Sequence, residues 1–135
     1  MPPGEAELGA DVVELTVPAE PAYLAVVRTA TAGLAARLRF SLDEIEDLRI
    51  AVDEACAMLL TLPPPPAEPP TLTCRFRVLA DGLAVSVSAP TGAAAVLPAD
   101  QSFAWQVLTA HAADVSGRAK DGQAVIDLVK RHPQR

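Results

Sequence analysis

Between Ser41 and Leu62 the chain has little choice but to form a helix. Ser41 and Glu44 have the spacing of a capping box, in which the hydroxyl accepts from a backbone N–H and the carboxylate reaches back to the cap. Asp43, Glu44, Glu46 and Asp47 fall in the opening turns, where the helix dipole favours negative charge. Ile45, Leu48, Val52, Ala55 and Leu59 recur at steps of three and four, which lays an apolar stripe along a buried helix. A neighbouring row runs Asp47, Ala51, Glu54, Met58. That spacing predicts that Glu54 and Met58 project together, one turn apart.

The rest of the chain arranges itself around this helix. Residues 1–11 form a Pro/Gly/Glu/Ala leader without periodicity. Val13, Leu15 and Val17 share one face of a strand that Pro18 ends. Pro21 suits a first helical turn, and Leu24, Val27, Thr31, Leu34 and Leu38 set a helix over Tyr23–Leu38 with Arg28, Thr29 and Arg37 on its outer face. The proline run from Pro63 to Pro70 stops the organising helix and makes a stiff extended connector. Leu72, Cys74, Phe76 and Val78 alternate with polar residues, Asp81-Gly82 reads as a hairpin turn, and Leu83, Val85 and Val87 return. A third helix spans Ser102–Ala113 with Ala104, Val107, Leu108 and His111 or Ala112 inward. Val115–Ala119 and Ala124–Val129 close a hairpin through Asp121-Gly122, followed by a basic tail over 131–135. The order β-α-α-β-β-α-β-β describes an α+β, two-layer α/β sandwich, with one domain over residues 12–130.

Composition narrows the function. Eleven basic against seventeen acidic residues give a net charge of −6, without a Lys/Arg cluster, which argues against direct nucleic-acid binding. Cys56 and Cys74 fall at apolar positions and read as buried free thiols, with a disulfide or metal pair as the alternative. No signal peptide or long apolar run is present, so a cytoplasmic protein without membrane attachment is expected. His111 reads as a capping or surface imidazole, and Phe103 and Trp105 as core or lid residues.

The segment Leu48–Met58 resembles the helix of GHKL-type ATPases, in particular the bacterial anti-sigma factor serine kinases of the stress and sporulation type. That family's pattern is Glu-x-x-x-Asn: the Glu activates a water or hydroxyl, and the Asn binds the Mg²⁺ of ATP. Glu54 matches the first position. Met58 stands at the second, where a thioether is a poor ligand for a hard cation that wants oxygen. The family's Asp-x-Gly-x-Gly falls at Ser88–Gly92, where Ala89 replaces the Asp, Gly92 is the one glycine and Pro90 lacks a donor. The connector Ala93–Gln101 has no glycine pair to cradle phosphates, so the nucleotide lid looks largely deleted. Ser102–Ala110 is similar to a phrase in actinobacterial anti-sigma factors whose nucleotide motifs are eroded too.

The resemblance implies a GHKL-like fold and an anti-sigma factor that sequesters an alternative sigma factor and is released by an anti-anti-sigma factor. It implies a homodimer as well. Arg28, in Val26-Val27-Arg28-Thr29, matches an Arg in a Phe-Ala-Arg-Val-like setting that contacts both partners in that family, so Arg28 and Thr29 are the candidate partner-binding residues. Glu54 becomes a relic of the catalytic base, and Glu54, Met58, Ala89 and Gly92 a vestigial pocket. No cofactor is expected, although the parent family uses ATP and Mg²⁺. Two other readings stand beside this one: an active Ser/Thr kinase of the antagonist using Glu54 as base, and a sensor whose old pocket holds another small ligand.

Overall fold

The computed structural model describes residues 11–66 and 68–133; most of the expected leader and the end of the basic tail lie outside them. Strand β1 (Val12–Pro18) leads through a short turn at Pro21–Tyr23 into helix α1 (Leu24–Arg37). Helix α2 (Leu42–Leu60) follows, then strands β2 (Thr71–Leu79) and β3 (Gly82–Pro90), helix α3 (Phe103–His111), and strands β4 (Ala113–Lys120) and β5 (Gln123–Arg131). The strands form one sheet in the order β1-β2-β3-β5-β4, every neighbouring pair antiparallel. No described helix is long and apolar enough to cross a membrane.

Helix α2 begins as its sequence dictates. The Ser41 hydroxyl accepts from the Glu44 N–H at 3.2 Å, and the Glu44 carboxylate accepts from the Ser41 N–H at 2.7 Å. Its buried residues are Leu48, Ala51, Val52, Ala55, Cys56, Met58 and Leu59, a stripe wider than the five-residue pattern because small Ala51 and Ala55 let α1 and α3 approach on either side. Ile45 is only partly buried at the stripe's open end.

One face of the sheet carries the core. The register sets Leu15 beside Cys74, Cys74 beside Val87 and Val87 beside Ile126, an apolar row under the helices. The next residue on each strand points the other way, and Glu14, Arg75, Ser86, Asp127 and Ser116 make a polar row across the opposite face. A groove of about 340 Å³ opens there, lined in part by Arg75, Arg77, Ser86 and Asp127. On β1 the core face weakens toward its start: Val17 is buried, Leu15 partly so, and Val13 is 41% exposed because β1 is an edge strand.

The two hairpins differ. Asp121 and Gly122 both take positive φ, at 55° and 77°, the pairing that a tight primed turn requires. The β2–β3 turn is made instead by Ala80 and Asp81, with Leu79 paired to Gly82, so the expected Asp81-Gly82 turn is displaced by one residue. Gly82 serves another purpose: a Cβ there would overlap the Lys130 carbonyl, so its lack of side chain lets β5 close against β3.

Candidate functional site

The corner where α1 crosses α2 gathers the charged residues of interest. Arg28 leaves α1 sideways and its Nε–H donates to both carboxylate oxygens of Asp53, at 2.8 and 2.9 Å. It is therefore half-buried and paired within the chain, rather than free on the outer face with Arg37. The side chains of the pair keep 41% and 34% of their surface, so the guanidinium edge still reaches solvent. Thr29 is exposed, its hydroxyl donating to the Ala25 carbonyl one turn back at 3.0 Å. Glu54 lies beside Asp53, half-buried.

Met58 lies one turn beyond Glu54 and is more deeply buried. It is 3% exposed and belongs to the hydrophobic core, since the α2 stripe is wide enough to take it in. Ala89 is 6% exposed in the same core. At the end of β3 the Thr91 N–H donates to the Gly122 carbonyl and the Gly92 N–H to the Pro63 carbonyl, both at 2.8 Å. The proline connector thus lies against the segment that follows β3, and two amides at this spot already have acceptors within the chain.

The start of α3 is organised by Trp105. Its indole N–H donates to the Pro98 carbonyl at 2.7 Å, and its ring packs where a Cβ on Gly117 would sit, pinning the 93–101 connector to β4. Phe103 departs from the expected core or lid role: it is 77% exposed, because the first residue of α3 faces away from the sheet. Leu108 is the fully buried residue of this helix, with Ala104 and Val107 partly covered.

His111 also departs from the expected surface or capping role. Its Nδ1 lies 2.9 Å from Asp47 Oδ1, while Lys130 Nζ donates to Asp47 Oδ2 at 3.1 Å. One carboxylate on α2 therefore ties down the end of α3 and the end of β5. The His111 hydrogen bond, with that of Lys130, holds the Asp47 carboxyl below its ordinary range.

Over 79 residues the chain is 39% identical to the serine-protein kinase RsbW of Bacillus subtilis, covering 58% of this chain and 49% of that one. The RsbW kinase of Bacillus velezensis is 38% identical over 78 residues, with the same coverage of each. That of Bacillus licheniformis is 35% identical over 79 residues, again 58% and 49%. Over that stretch the chain is similar to the RsbW serine-protein kinases. It spans about half the length of the curated relatives it matches. No protein-family profile matches it.

Within this chain, sequence reasoning missed Asp53 as the partner of Arg28 and Asp47 as the partner of His111. Those residues are 25 and 64 positions apart, so no local spacing announces either pair. The only signal was that α2 carries more acids than a capped, solvated helix needs.

Proposed function

We propose that this protein is an anti-sigma factor with a GHKL-like fold, which holds an alternative sigma factor by direct contact and yields it to an anti-anti-sigma antagonist. The observation that carries the binding reading is the outward face of α1. Ala25, Val26, Thr29, Gly33 and Ala36 are exposed there, with Tyr23 just before, so a helix already packed on one side is apolar on the other as well. An apolar helix face of this kind asks for a second covering surface. Arg28, at its border, offers a fork suited to a partner's carboxylate.

The same reading has the protein work without phosphoryl transfer. Mg·ATP needs oxygen ligands and open amides, and the residues here do not fit it: Met58 is a thioether sealed in the core, and the Thr91 and Gly92 amides already donate to carbonyls. Release then follows from competition of two partners for one surface, set by their concentrations and affinities. The alternative, an active Ser/Thr kinase of the antagonist, is favoured by the relatives' name and by half-buried Glu54, which matches the position of the base in the family's sequence pattern.

The homodimer that completes the reading fits the polar face of the sheet. Because β3 is the middle strand, a twofold axis along it sets β2 over the second copy's β5, and Arg75 opposite that copy's Asp127. Affinity capture of the full-length protein, with mass spectrometry and light scattering of the recovered complex, tests the whole proposal. A sigma factor bound to a dimer is expected; recovery with no sigma factor overturns it.

A further inference from the structure

One cation on the polar face of the sheet has no counter-charge. The register sets Arg77 between Val12 on β1 and Ala84 on β3, with Val129 next on β5, so its cross-strand row is otherwise apolar. Both carboxylates of the neighbouring row are engaged. Glu14 stands 3.8 Å from Arg75, while Asp127 accepts from the Ser86 hydroxyl with one oxygen and from Arg118 at 3.0 Å with the other. Arg77 is half-buried, and its guanidinium has no ion pair or hydrogen bond among the described residues. It lines the groove of about 340 Å³ together with Arg75, Ala84 and Val129. What the groove has left to offer is therefore donors and positive charge. The homodimer of the proposed function sharpens the point. A twofold axis along β3 keeps each cross-strand row opposite itself, which sets Arg77 over the second copy's Val129. Closing that interface buries a guanidinium without a partner, which is costly.

We infer that this groove is a binding site for a small free oxyanion of the phosphate class, one per chain, over which the second copy closes. The inference rests on the dimer reading. The Arg77 guanidinium presents a planar fork of N–H donors that takes two oxygens of an oxyanion at once, and chloride offers no such pair. Arg75, on the same face two residues earlier, adds positive charge to the groove while it stays near Glu14. Ala84 and Val129 give the site an apolar wall, and the second copy shuts out water, so the pairing strengthens as the interface closes. The covered groove has room for a free oxyanion and not for one carried on a large molecule. Assembly is then linked to the anion: a ligand that binds the closed pair more tightly than the open chain favours the pair by mass action.

The test measures the dimer dissociation constant of the full-length protein by sedimentation equilibrium, in chloride and in inorganic phosphate at one pH and one ionic strength. Phosphate should tighten the native dimer at least tenfold, and equilibrium dialysis should find one phosphate per chain. Arg77→Ala, checked for folding by circular dichroism, should dimerise more tightly than the native chain in chloride and should lose the response to phosphate. A native dimer of equal strength in both salts overturns the inference and leaves the dimer reading standing. A native-like phosphate response in Arg77→Ala overturns it as well. Monomers at every concentration in both salts overturn the dimer reading, and the site with it. The native comparison decides the matter whether or not the variant folds.

Discussion

Arg28 and Asp53 tie helix α1 to helix α2 through one guanidinium nitrogen that serves both carboxylate oxygens, at 2.8 and 2.9 Å. Both side chains keep more than a third of their surface. Solvent screening therefore limits what the pair adds to stability to below about 1 kcal/mol. Its effect on binding is larger. Arg28→Ala should weaken sigma-factor affinity at least tenfold, about 1.4 kcal/mol, with an unchanged fold. Asp53→Ala, which frees the guanidinium, should weaken it less. Surface plasmon resonance beside urea melts separates the two effects; equal affinities for all three proteins would place the contact elsewhere.

Acid stability should report Asp47. Its folded-state pKa is lowered, chiefly by the His111 hydrogen bond, so its contribution is fully present above the unfolded value and fades as pH falls through the folded one. Glu44, lowered by the backbone N–H of Ser41, acts in the same direction. Urea midpoints should hold steady with respect to these groups down to about pH 4 and fall below it. Asp47→Asn should flatten that acid limb while lowering stability at neutral pH. An unchanged limb would mean that the α2–α3–β5 tie is not made in solution.

Two glycines should respond oppositely to alanine. At Gly82 the new methyl meets the Lys130 carbonyl, and a shift of β5 should cost about 1–3 kcal/mol. At Gly33, mid-helix with nothing within 4 Å of the added methyl, alanine should stabilise by about 0.5–1 kcal/mol. Thermal melts measure both. If the α1 face carries the partner, Gly33→Ala should also reduce its affinity, more stable and less able to bind.

Much of this arrangement could be read from local spacing, and the misses share a physical cause. The Ser41–Glu44 box, the α2 stripe and the Asp121-Gly122 turn are short-range patterns, and each formed where its residues placed it. The Ala80-Asp81 turn was missed because Gly82 looked like a turn glycine, when a close approach of β5 is what requires it. Met58 was read from its own helix alone, although how far the core reaches round α2 is decided by its neighbours. Arg28 looked like a surface residue and His111 like a capping or surface imidazole, because the carboxylates that hold them lie on another helix.

Nucleotide affinity follows from Met58 and the committed amides. Isothermal titration with Mg·ATP should give no measurable binding in the micromolar range, and Met58→Asn alone should not create any, since the Ala89 and Gly92 positions are unchanged. Low-micromolar binding by the native protein would return the kinase reading to first place.

The most direct measurement of the account follows a fluorescent sigma factor held by this protein while the antagonist is added, with and without Mg·ATP. Competition for one surface predicts the same release curve in both, and an antagonist that carries no phosphate afterwards. A sigma factor that never binds, or a release curve that shifts with ATP while the antagonist gains phosphoserine, would contradict it.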